Sequence, residues 1–362
     1  MKQKFWIVLI FMALLFSGCA RTKIVDQLSI LHTIGYDRDE AGQFRGTFLY
    51  PDYTQGKNKD SIQIRKARGK TSSMMTARSN EQTKKPIELS KTQVFVFGED
   101  FAKQGIGHII DTVFNNPIIS TDIQTAVVKP SAREFLEQVQ KKGSLTLSET
   151  IEQNFTTQSL PRTSLHLFLN DFYGQGRDPY MPILEMGTEA NEYVKGLAVF
   201  KDDKLKLTLD SYQTFLFGLL DRFNHQGVSE VPIQKGKKKG IFILRIMKEK
   251  PEWRNIQGGS SPRIDLLLNV FVIIREYPEW INLHDEKDIH LLEHAIEITL
   301  KQDIGKLLDT FKEYGVDPIG IGDKIRGRDR RWNEQRFYRV EYKKLKSNID
   351  ISTTIIQAGI KR

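Results

Sequence analysis

The clearest pattern in this chain is an apolar stripe between positions 285 and 314. Ile289, Leu292, Ile296, Leu300, Ile304, Leu307 and Phe311 recur every three or four residues. That spacing puts them on one face of a long helix, and such a face has to be buried. Gly315 closes the helix, and Asp317-Pro318 forbids its continuation. Before it, 240–248 and 265–277 are enriched in Val, Ile and Leu and read as long strands. After it, 338–342 and 348–356 read as two final strands. The economical arrangement is a C-terminal antiparallel sheet packed on the one long helix.

The first half alternates strands and helices. The apolar run 26–36 and the run 44–50 flank a charged, glycine-containing turn, which predicts a hairpin. A strand is expected at 62–68, a polar helix at 72–84 and a buried strand at 93–98. Phe101, Ile106, Ile109, Ile110, Val113 and Phe114 predict one helix that stops at Asn116-Pro117, with a strand at 125–128 after it. Helices are expected at 131–142, 148–158 and 164–173. Gly174 to Pro179 is a strong break. A hairpin around Asp202-Asp203 joins 196–201 to 204–209, and a short apolar helix follows at 212–220. The fold class is α+β and multi-domain. The expected divisions are a mixed N-terminal domain at 19–130, a helix-rich middle domain at 131–192 and a C-terminal α+β domain at 193–362.

Residues 1–18 carry a different pattern. Lys2 and Lys4 precede an unbroken apolar run from Phe5 to Phe16, and Ser17-Gly18 leads to Cys19, the only cysteine of 362 residues. A basic start, a short greasy core and small residues form a secretory signal. The run falls short of the ~20 residues that span a bilayer. Leu15-Phe16-Ser17-Gly18-Cys19 resembles a bacterial lipobox, with Phe16 where leucine is usual. The resemblance implies a diacylglycerol thioether on Cys19, cleavage before it, and acylation of the new amino group. A single cysteine also excludes an internal disulfide, so packed cores must hold the body together.

Composition adds two limits. The 39% hydrophobic and 27% charged content is that of globular protein, and the length predicts two or three domains. The net charge is +9, and loss of Lys2 and Lys4 with the signal lowers it by two. Beyond the membrane, that basic excess could meet anionic lipid or wall polymer. Nucleic acid is excluded as a partner by location.

Candidate chemistry is thin. His290-Leu291-Leu292-Glu293-His294 has the spacing of an inverted zinc-protease motif. It sits on the flank of the long helix and reads as a solvated face. Gly69-Lys70-Thr71 matches only the end of a phosphate loop, since Ile64 stands where the first glycine belongs. Gly320-Ile321-Gly322 lacks the third glycine of a dinucleotide turn and reads as a close backbone approach. The loop Lys235-Gly236-Lys237-Lys238-Lys239-Gly240 is an exposed basic turn, with anionic lipid or a partner as the sharper alternative. No catalytic, cofactor or metal residues are assigned, and an enzyme is not expected.

Ordered pieces along the chain resemble one family. They are Asp26-Gln27-Leu28 to Gly35-Tyr36-Asp37 behind the cysteine, Thr92 to Glu99, and Gly176-Arg177-Asp178-Pro179 with Pro182 and Leu184. Lys195 to Phe200 and Gly315 to Asp323 complete the set, with Asp317, Pro318 and Gly320 at the heart of the last. Ile321 replaces the usual Phe. Together they are similar to the Ger(x)C lipoproteins, the C subunits of GerA-type nutrient germinant receptors of endospore formers. The resemblance implies three mixed α/β domains on the outer face of the spore inner membrane. It implies assembly with A-type and B-type integral subunits, and no enzymatic activity. The expectation is a lipid-anchored receptor subunit needed for germination. The alternatives are an anchored solute-binding protein that captures a nutrient directly, and an anchored zinc hydrolase.

Overall fold

The computed structural model describes residues 29–52, 61–81, 85–157, 160–188, 191–221 and 227–358. Cys19 and the expected signal lie outside the described residues.

Among the described residues the chain builds an eight-stranded sheet, a four-stranded sheet and a short two-stranded pair. The largest is ordered β10-β9-β8-β7-β6-β2-β3-β4. Its strands are β2 (Thr33–Arg38), β3 (Phe44–Asp52), β4 (Ser61–Gly69), β6 (Val94–Gly98), β7 (Gln124–Val128), β8 (Tyr180–Met186), β9 (Glu192–Lys201) and β10 (Lys204–Leu209). The expected hairpins are both present, β2–β3 and β9–β10, each antiparallel. Between them β2, β6, β7 and β8 run parallel, because each is reached through a connection that includes at least one helix. A short parallel pair, β1 (Ser29–Ile30) with β5 (Ile87–Glu88), lies beside it.

Strand β6 shows why the sheet sits at the centre. Val94 and Val96 belong to one core, and Phe95 and Phe97 to the other. Alternation sends the small side chains to one face and the rings to its opposite, and all are buried. The phenylalanine side packs on α1 (Ser72–Glu81), α2 (Glu99–Gln104), α3 (Gly107–Phe114) and α6 (Leu165–Tyr173). The valine side packs on α4 (Ala132–Lys142), α5 (Leu147–Thr156) and α7 (Ser211–Gly218) and continues into the second sheet. The sheet therefore runs across positions 130/131 and 192/193, with β7, β8 and β9 hydrogen-bonded side by side.

The single helix expected over 101–114 is two. Gly105, at φ +125, breaks it, and a side chain there would overlap the Asp203 carboxylate. Asp203 belongs to the β9–β10 turn. Its carbonyl accepts Ile106 N–H at 2.9 Å and its carboxylate accepts Gly107 N–H at 3.2 Å. A distant turn thus caps α3, which no local pattern reports.

The second sheet is β11 (Val228–Lys235), β12 (Lys238–Gln257), β13 (Arg263–Glu276) and β14 (Lys346–Ala358). The long helix is α8 (Glu286–Tyr314), capped by the Asp285 side chain and ended by left-handed Gly315. Leu292, Ile296, Leu300, Ile304, Leu307 and Phe311 are buried as a stripe, while Ile289 is half-buried. Strands β11 to β13 are antiparallel. Strand β14 joins β13 in parallel, because α8 carries the chain back before β14 begins.

Positions 338–342, expected as a strand, are helical. After α9 (Ile321–Arg326) and α10 (Glu334–Arg336), a π turn spans Phe337–Glu341 and a 3-10 turn Tyr342–Lys344. Phe337, Tyr338 and Tyr342 contact one another, with ring centroids 5.0–5.7 Å apart. Adjacent residues 337 and 338 must then point the same way, which a strand's alternation forbids.

Candidate functional site

The break at 174–179 and the turn at 315–323 lie about 140 positions apart in sequence, and the fold interlocks them. The backbone N–H of Asp178 donates to the carbonyl of Asp317 at 3.0 Å. The N–H of Asp317 donates back to the Asp178 carboxylate at 2.7 Å. Asp323 N–H donates to the Gly176 carbonyl at 2.8 Å. Gly176 has φ +84, and a side chain there would overlap the Asp323 backbone.

Arg177 is the bolt. Its Nη2 donates to the carbonyl of Ile319 at 2.6 Å and its Nη1 to Asp221 at 3.1 Å. Asp221 also accepts the Tyr180 hydroxyl at 2.6 Å. Burial opposes the Arg177 charge, yet Asp221, Tyr180 and Asp171 hold its pKa above the ordinary value. Gly320, at φ +72, leaves room for the guanidinium: a Cβ there would stand 2.6 Å from Arg177 Nε. Pro318 is buried beside it, and Pro179 supplies a carbonyl to Phe200 N–H at 2.9 Å.

Asp317 closes the corner. It is fully buried, and its carboxylate accepts Ile321 N–H at 2.9 Å, Gly322 N–H at 2.7 Å and the Tyr338 hydroxyl at 3.0 Å. Burial raises its pKa against the pull of those amides. Burial likewise pushes Asp178 up to about 7, against Lys201, whose ammonium lies 3.0 Å away. Lys201 also sits 3.9 Å from the Tyr338 ring centroid. Lys324, half-buried near Arg177, is lowered to about 8 by desolvation and that neighbouring charge, and it donates to the Ile319 carbonyl at 2.8 Å. Every carboxylate oxygen of Asp178 and Asp317 is taken by a donor within the protein. The arrangement joins the two sheets and spends these carboxylates on internal donors.

Two family models together cover this chain. Residues 21–186 match the spore germination protein N-terminal domain, and residues 195–359 match the spore germination B3/GerAC-like C-terminal domain. The chain belongs to the GerAC family of spore germination proteins. Its role is in spore germination.

The relatives agree. Spore germination protein GerQC of Bacillus cereus is 26% identical over 361 residues, 99% of each chain. A putative spore germination protein, YfkR of Bacillus subtilis, is 21% identical over 66% of this chain and 63% of its own. The crystal structure of the GerBC protein superposes with a TM-score of 0.57 at 16% identity, over 89% of this chain and 96% of that one. At that identity the likeness is one of fold.

The other motifs of this GerAC-family chain sit on α8, at the β4–α1 turn and in the β11–β12 loop. His290 and His294 are exposed on α8, beside Glu293 and Glu297 at 3.1 and 4.0 Å. Those glutamates accept backbone N–H groups of β14, Ile355 at 3.3 Å and Thr353 at 3.0 Å. Among the described residues no group of three potential ligands forms a metal site. Gly69 closes against the backbone of Met75 at the start of α1. In the basic loop Lys235 is paired with Asp288, while Lys237, Lys238 and Lys239 are exposed. Asp221, Tyr180, Tyr338, Lys201 and Lys324 were not legible as parts of the corner. Each is an ordinary residue in sequence, and only the pairing of the two motifs gathers them.

Proposed function

We propose that this chain is the lipid-anchored C subunit of a nutrient germinant receptor. Cys19 carries the lipid, and the protein sits on the outer face of the spore inner membrane with A-type and B-type integral subunits. The observation that supports this most is the end-to-end match to GerQC, 99% of both chains, with Cys19 two residues ahead of the first family domain. Among the described residues no helix is long and apolar enough to cross a membrane. Two acyl chains give stable anchoring, since each buried methylene contributes ~0.8 kcal/mol, whereas one chain is marginal.

The role is that of a non-enzymatic scaffold. Confinement to the membrane raises the effective concentration of its faces, so individually weak contacts with the integral subunits suffice. The test has two parts. The chain, tagged at its C-terminus, should co-purify from spore membranes with both integral subunits. Metabolic labelling with a fatty-acid analogue should mark the wild type and not Cys19→Ala. Label retained in Cys19→Ala, or recovery without integral partners, would refute the reading.

A further inference from the structure

The β3–β4 hairpin carries a concentration of cations that the corner does not use. Arg45 and Arg68 stand directly opposite each other in the β3–β4 ladder, and Lys66 stands opposite Thr47 two residues along. All four side chains therefore share one face. Like charges directly opposed in a ladder are destabilising. Arg133, in the first turn of α4, comes over the same face. Arg78 of α1 donates to the Arg68 carbonyl at 3.0 Å. These five cations line a cleft of about 390 Å³ in which no carboxylate takes part.

Local partners offset only part of this charge, although Asp37 stands opposite Arg45 in the β2–β3 ladder. Glu137, just outside, pairs with Lys66 and with Arg133 at 2.9 Å. Arg45 reaches Asp39 only at 3.9 Å, and its Nε is buried with no hydrogen-bond partner. Among the described residues, Arg68 and Arg78 form no ion pair with a carboxylate. The α4 N-terminus contributes nothing further: Ala132 and Arg133 N–H donate to Asp37, and Glu134 N–H to Ser131. What remains, beyond the two partners of Glu137, is Arg45, Arg68 and Arg78, which all line the same small cleft.

We propose that this cleft binds a multiply charged phosphate-type anion. Planar guanidinium forks match phosphate oxygens in bidentate fashion, and a dianion or a polyphosphate offsets more of the clustered charge than one carboxylate does. The concave shape suits a compact phosphate group. Two sources share that chemistry, a soluble phosphate compound and the phosphomonoester headgroup of a lipid. The inference stands on the cleft alone and is independent of the anchoring reading.

Calorimetric titration of the full chain in detergent tests it, with inorganic pyrophosphate and dihexanoyl phosphatidic acid as probes. Saturable binding of at least one is expected. Arg68→Gln with Arg78→Gln, both exposed, should weaken it by at least about tenfold, as for loss of charge-assisted bonds, with melting no lower than wild type. Lys343→Gln, an exposed cation of the 3-10 turn, should leave it unaltered. Tighter binding of the short-chain lipid assigns the site to a headgroup; tighter binding of pyrophosphate assigns it to a soluble phosphate. Absence of binding by both probes overturns the proposal, as does wild-type affinity in the double variant. Tighter binding of an octaglutamate peptide than of either probe also overturns it and makes the cleft a protein-docking surface.

Discussion

Asp178 and Asp317 hold each other twice, once through Asp178 N–H to the Asp317 carbonyl at 3.0 Å and once through Asp317 N–H to the Asp178 carboxylate at 2.7 Å. One belongs to the loop that feeds β8 and the other to the turn that follows α8. The reciprocal pair therefore ties the large sheet to the long helix of the small one, inside a buried site where water cannot substitute for a lost partner.

Titration of Asp178 should be visible in stability. Burial raises its pKa to about 7 from an ordinary 3.8, so the folded state binds this proton more tightly than the unfolded chain does. Its contribution is fully present below the unfolded value and is lost as pH rises through the folded one. The stability of wild type relative to Asp178→Asn should then fall between about pH 4 and about pH 8, read by urea unfolding. A relative stability that rises over that range would contradict the assignment.

Glycine replacements should separate strain from clash. Gly315 and Gly320 both have positive φ, but a Cβ at Gly315 meets nothing within 4 Å, whereas at Gly320 it meets Arg177. Gly315→Ala should cost roughly 1 kcal/mol, the left-handed penalty alone. Gly320→Val should exceed it, at roughly 1–3 kcal/mol from strain and more where Arg177 is displaced, with lower protein levels in spores. The corner is buried, so a variant that melts normally yet fails to assemble would be incompatible with this account.

Removing the bolt should strand a charge. The Asp221 side chain is fully buried against Arg177, so Arg177→Ala should destabilise by about 3–5 kcal/mol. Adding Asp221→Asn should restore part of that loss, because the uncompensated carboxylate disappears. Chemical denaturation of the single and double variants gives the coupling directly; strictly additive effects would argue against the pair.

On α8, histidines and glutamates should behave differently. His290→Gln with His294→Gln should change stability by no more than about 0.5 kcal/mol, as for exposed positions, and leave germination unaltered. Glu293→Ala with Glu297→Ala removes acceptors from two β14 amides and should cost about 1 kcal/mol or more. Stoichiometric zinc lost in the histidine double variant would reverse this reading.

Sequence alone determined the features that depend on near neighbours. The α8 stripe, its Gly315 stop, the two hairpins of the large sheet and the buried strand β6 follow from residue period and turn chemistry, and the structure has them. The order of short motifs was enough to mark the family. Three things were decided by tertiary structure. Gly105 splits the 101–114 helix because the Asp203 turn occupies the space a side chain would need. Positions 337–342 coil instead of extending, because adjacent rings must pack on the same side. Strand β14 runs parallel to β13 because α8 returns the chain before that strand starts. The corner itself belongs to this second class: Gly176 to Pro179 and Asp317 to Gly320 were each legible, but not that they meet. Periodicity reports which face of an element is buried, whereas a contact across about 140 residues is set by how whole sheets pack.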